Sequence, residues 1–167
     1  PPVKRQKQQG RPITKFFQMP SFLSGLIAAA LGYCIMTFLM TATPLQVVDV
    51  SRLSHEANAR VIQWHVVAMF APSLFSGVLI AKFGVGKILW AGLACYVAAS
   101  IIALSGTGFY IYLGALIFLG IGWNFLYVGG SSVIANSASP EERGRVQGIA
   151  DFCIFSVVAT ASMLSGM

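Results

Sequence analysis

Apolar residues run through this chain in long blocks rather than in short alternating stretches. Blocks of about 20 residues are expected wherever a helix crosses the hydrocarbon of a bilayer at a rise of ~1.5 Å per residue. They fall at 21–43, 61–81, 88–106, 109–132 and 146–166. A membrane β-barrel would instead show segments of about 10 residues with every second position apolar. Leu26 to Gly32 contains no such alternation. The pattern therefore predicts an all-α integral membrane fold with five transmembrane helices over 19–167, preceded by a basic, polar loop or tail over 1–18.

The connections carry local signals. Ser54 precedes a polar but helix-compatible stretch, His55 to Arg60, so the second helix is expected to begin outside the membrane. Ser139, Pro140 and Glu142 have the spacing of a capping box, which sets the start of the fifth helix and reaches the Glu142 carboxylate back to the cap amide. Pro44 predicts a bend or break near the outer end of the first span. His55 and Glu56 begin like a zinc-binding HExxH, but Ala59 removes the second ligand. No metal or other cofactor is expected.

Composition supports the membrane reading. Of 167 residues, 56% are hydrophobic and 10% charged, whereas a soluble domain carries about 25% charged residues. The net charge of +6 is concentrated at one side of the predicted spans. Lys4, Arg5, Lys7, Arg11, Lys15, Lys82, Lys87, Arg143 and Arg145 fall on that side, and Arg52 and Arg60 on the other. The excess of positive charge predicts a cytoplasmic N-terminus, with membrane lipid headgroups rather than nucleic acid as the partner. Cys34, Cys95 and Cys153 lie in different spans without CxxC spacing and are expected to be free thiols.

The short link between the second and third spans carries Gly77, Leu79, Lys82, Gly84 and Lys87. This spacing resembles the signature loop of the major facilitator superfamily, with Ala81 where that family usually has Asp. Pro140 to Gly148 is similar to the family's link into the fifth helix of a half. First halves commonly carry an Arg one turn before a glycine pair in the fourth helix. Here Leu116 precedes Gly120 and Gly122. The resemblance therefore implies helices seven to eleven of a twelve-helix transporter in a bacterial inner membrane. It also implies a small-molecule solute as cargo, protons as a possible coupling ion, and the remaining helices as partners.

Polar groups inside hydrocarbon are costly and point to function or to internal pairing. Asp151 shares a helix face with Gln147 and Arg143, so it either carries a coupling proton or pairs with Arg143. His65 shares a small-residue face with Ala68, Pro72 and Ser76, which suits proton coupling or close packing of a second helix. Asn124 either lines a cavity or bonds a neighbouring helix, and Trp123 adjoins it. Tyr33 and Gln46 complete the candidate solute path, whereas Trp64 and Trp90 suit the aromatic belts. Two alternatives to a transporter are a truncated bundle that moves nothing by itself and an intramembrane serine protease built on Ser131. The protease would need a His, and both His55 and His65 are expected near the opposite membrane face.

Overall fold

A computed structural model describes residues 10–165, with side chains up to Met163. Lys4, Arg5, Lys7 and the rest of residues 1–9 lie outside the described residues. The described chain is helical throughout. A single turn, α1 (Ile13–Phe16), precedes α2 (Pro20–Pro44), and a π-helical segment over Leu45–Val50 continues α2. Then follow α3 (His55–Phe70), α4 (Ser73–Phe83), α5 (Val85–Leu104), α6 (Phe109–Asn136) and α7 (Arg143–Ser165). Among the described residues four helices are long and apolar enough to span a membrane, and α3 with α4 is a fifth if the bent pair counts as one span.

The expected apolar stretch over 61–81 falls across α3 and α4. α3 and α4 meet at a bend of 41°. Pro72 lies in the junction, where it lacks the N–H that would continue the ladder and its ring crowds the carbonyl one turn back. Pro44 behaves in the opposite way. Beyond it the chain stays helical with a wider register, Ser51 N–H donating to the Gln46 carbonyl at 3.0 Å, so the first span reaches Val50. A proline breaks a helix only where the freed groups find partners outside it, and that is decided by tertiary packing.

The expected caps are largely present. The Ser54 hydroxyl accepts from the Ala57 N–H at 3.1 Å. The Glu142 carboxylate accepts from the Ser139 N–H at 3.1 Å, but Pro140 to Glu142 forms a turn and α7 begins only at Arg143. Gly84, at φ +85°, makes the turn from α4 to α5 in a backbone conformation that glycine alone adopts without strain.

α6 is the central helix. Half of its most apolar window is buried, against 22–28% in α2, α5 and α7. It packs against α2, α3 and α5, and α7 packs on α2. Glycines set the separations. A Cβ on Gly130 would come within 2.6 Å of the Gly25 carbonyl oxygen of α2, and one on Gly120 within 2.8 Å of the His65 carbonyl oxygen of α3. Small residues at such crossings let backbones approach where dispersion, rather than a hydrophobic effect, holds helices together. Large apolar residues such as Leu74, Trp90 and Phe152 point outward, as lipid-facing residues do.

The approach to the first span is more ordered than its polar composition suggests. Phe16 is buried in a cluster with Phe22, Ile134, Ala138, Val146 and Ala150. Arg11 is bound to Glu142 through the Nη2 to Oε2 contact at 2.7 Å, and its backbone N–H donates to Oε1 at 2.6 Å. Residues 10–16 are thus clasped to the α6–α7 junction and do not hang free.

Candidate functional site

The candidate residues divide into two groups around α6, according to where their hydrogen bonds go. The first group joins α3 and α4 to α6. Asn124 is fully buried, and its Nδ2 donates to the Met69 carbonyl at 2.7 Å and the Ser73 hydroxyl at 2.6 Å. The Ser76 hydroxyl donates to Asn124 Oδ1 at 2.7 Å. The amide thus bridges the turn that Pro72 interrupts and takes up a carbonyl there, which is what buried polar groups in hydrocarbon require. His65, also fully buried, is bonded through Nδ1 to the Leu116 carbonyl at 2.7 Å. A carbonyl only accepts, so Nδ1 carries the proton, and in the neutral ring Nε2 is a bare acceptor without a partner. The small-residue face shared by His65, Ala68, Pro72 and Ser76 serves this close helix contact.

The second group lies near the middle of α2, α6 and α7. Trp123 and Tyr127, one turn apart on α6, stack with centroids 5.1 Å apart and planes 7° apart. Tyr33 of α2 meets both edge-on, at 5.5 and 5.7 Å. Phe155 of α7 meets Tyr33 at 5.5 Å, and Phe70 of α3 meets Trp123 at 5.9 Å. These separations and tilts are the ones aromatic quadrupoles favour. Trp123 is buried and its Nε1 has no acceptor, whereas Phe70 and Phe155 are exposed and both tyrosines are half-buried. Neither tyrosine hydroxyl has a hydrogen-bond partner among the described residues.

Asp151 adjoins this cluster. Its Oδ1 accepts from Gln147 Nε2 at 3.2 Å, and its carboxylate is within electrostatic reach of the Tyr127 hydroxyl. The expected pairing with Arg143 is not made, because Arg143 Nε donates to the Ala135 carbonyl at 3.2 Å. Tyr33, Trp123 and Asp151 are therefore brought together, while His65 and Asn124 belong to the first group. Gln46 stands apart from both, in the π-helical segment. It lines a cavity of about 300 Å³ with Thr43, Ser100, Thr107 and Tyr112, between the ends of α2, α5 and α6.

Tyr127, Phe70 and Phe155 are members of the cluster that the sequence reading passed over. The spacing of Trp123 and Tyr127 was available as a signal, but the other rings lie on three separate helices. Of the signature-loop residues, Lys82 places its ammonium 5.3 Å from the Phe83 ring, and neither Lys82 nor Lys87 is ion-paired with a described residue. Gly77 has open space around it. Outside the spans, the Arg11 guanidinium holds the Glu142 carboxyl down at about 2, below the usual carboxylate range.

The protease geometry is absent from this arrangement. Ser131 Oγ has no partner, and it lies eleven residues, roughly 16 Å of helix rise, beyond the Gly120 position where α6 meets His65.

Comparison with known proteins places these features in a family. A riboflavin transporter, RfnT, of Brucella anthropi is 45% identical over 157 residues, covering 94% of this chain and 39% of that protein. Two uncharacterized MFS-type transporters of Bacillus subtilis, YddS and YdeG, are each 33% identical, covering 86% of this chain and 33% and 34% of their own lengths. The chain thus spans between a third and two fifths of the curated relatives it matches. No solved structure matches it. The family model of the Major Facilitator Superfamily matches residues 1–163, and the chain belongs to that family.

Proposed function

We propose that this chain supplies helices seven to eleven of a twelve-helix secondary transporter in a bacterial inner membrane, and that the transporter carries riboflavin. The observation that carries the cargo is the 45% identity to the Brucella riboflavin transporter across 94% of the chain. The chain enters the first span from the cytoplasm, since Lys82, Lys87, Arg143 and Arg145 lie at the same membrane face as Arg11 and Lys15. Transport proceeds by alternating access, the bundle rocking against the other half of the protein around a site at mid-depth. The side of the bundle bearing Tyr33, Trp123, Tyr127 and Asp151 faces that site, and Asp151 carries the coupling proton.

The full-length protein reconstituted in liposomes should accumulate radiolabelled riboflavin when an inward proton gradient is imposed. Riboflavin flux no greater than in empty liposomes, from correctly inserted protein, would contradict the cargo. The isolated 167-residue chain should move none in the same assay, because one wall cannot enclose a solute.

A further inference from the structure

Exposed residues on this bundle are of two kinds. Around α5 and the outer faces of α2 and α4 they are apolar, as contact with lipid tails requires. On the side where α2, α3, α6 and α7 converge, exposed Phe70 and Phe155 flank two tyrosines with unpartnered hydroxyls, and the Asp151–Gln147 pair adjoins them. A carboxylate directed at hydrocarbon is costly, so this side meets water, protein or a polar solute. α5 packs extensively on α6 and buries Tyr96 in the same core as Trp123, on the side away from the exposed Phe155.

The arrangement has a hierarchy. Trp123 is the buried base, packed by Phe70 and Tyr33. Tyr127 lies parallel on it and is half-buried, so the stack runs from the interior toward the open side. On α7, Asp151 lies one turn before Phe155, and its Oδ1 accepts from the Gln147 amide. Sites for flat polar molecules have this composition, with apolar and aromatic surface for the ring and a few polar groups to orient its edge.

We propose that this face binds a planar heteroaromatic ring, with Tyr127 and Tyr33 as stacking residues, Phe155 closing the side, and Asp151 and Gln147 meeting the ring's polar substituents. The inference rests on the transporter reading above, and it names the part of the solute that this half of the protein recognises. A riboflavin molecule would be held through its tricyclic ring, leaving its sugar-like chain to the other half. Ring stacking on protein aromatics contributes about 1–3 kcal/mol per ring, or roughly 5- to 150-fold in affinity.

Riboflavin titrated into the full-length protein in detergent should lose fluorescence as its ring stacks on tyrosine. Lumichrome, which keeps the ring and lacks the chain, should compete, and ribitol should not. Tyr127→Leu should weaken binding ~10-fold or more, Tyr127→Phe no more than about twofold, and the outward-facing Trp90→Leu not at all. Phe155→Leu, at an exposed position, should weaken binding by several fold and guards against misfolding of Tyr127→Leu. Unchanged affinity in Phe155→Leu and in folded Tyr127→Leu would overturn the stacking face while leaving riboflavin as cargo. Competition by ribitol but not by lumichrome would do the same. Binding of lumichrome without binding or transport of riboflavin would overturn the cargo and uphold the face. Binding of neither would overturn both.

Discussion

The two sides of α6 handle polar groups in opposite ways. Against α3 and α4, Asn124 and Ser76 are fully buried and bonded across the helix contact, and His65 is bonded there through Nδ1 although its Nε2 has no partner among the described residues. Toward α2 and α7, among the described residues, the Tyr33 and Tyr127 hydroxyls have no hydrogen-bond partner and Asp151 bonds Gln147 on its own helix. A polar residue within a span is thus a poor guide to function by itself. The useful distinction is whether its hydrogen bonds are already satisfied inside the bundle. By that criterion Asn124 and Ser76 form a structural joint, and the α2–α6–α7 face is the one we propose as the working surface.

Substitutions on the two sides should separate cleanly. The largest effect on transport is expected from Asp151→Asn, which keeps the shape of the side chain and removes its proton chemistry. Proton-driven accumulation of riboflavin should be abolished while exchange of internal for external riboflavin persists, with folding stability changed by no more than about 0.5 kcal/mol. Persistent accumulation would remove Asp151 from the coupling path.

Asn124→Leu should do the reverse. It strands the Met69 carbonyl and the Ser73 hydroxyl, while Ser76 keeps the Pro72 carbonyl as acceptor, and stability of the full-length protein should fall by about 1–3 kcal/mol in denaturant titration. Riboflavin affinity of the molecules that remain folded should be unchanged. A selective loss of affinity would move Asn124 to the working surface. Gly120→Ala should cost about 1–3 kcal/mol in the same titration, because the added carbon meets the His65 backbone at 2.8 Å, where no flexible side chain can yield.

The smallest effect concerns the cytoplasmic clasp, which belongs to neither side. The folded-state carboxyl of Glu142 lies at about 2, below its ordinary 4.5, so its contribution is complete above about pH 4.5 and is lost as pH falls through about 2. Amide exchange of Phe16 and its neighbours should remain slow down to about pH 3. Glu142→Gln should accelerate it at neutral pH without altering riboflavin binding.

Much of this architecture was legible in the sequence, since hydrocarbon thickness imposes long apolar blocks whatever the packing. The helix start near Ser54 and the return of Glu142 to Ser139 were legible for a similar reason, because both depend on residues within one turn of each other. The two prolines were not. Pro44 and Pro72 look alike in the chain, yet Pro44 is carried through by a wider helix while Pro72 bends its span by 41° beside Asn124. Asp151 and Arg143 share a helix face as expected, but Ala135 on another helix offered the guanidinium a nearer acceptor. The clasp was hidden as well, because Arg11 and Glu142 are 131 residues apart. The aromatic face needs side chains from four helices, and the sequence shows only the one-turn spacing of Trp123 and Tyr127.

The most direct test of the working surface uses Phe155→Cys in the full-length protein, with Cys34, Cys95 and Cys153 replaced by serine. A water-soluble maleimide should label that position, and saturating riboflavin should protect it. A cysteine that is never labelled, or is labelled equally with and without riboflavin, would contradict the assignment of this face to the solute path.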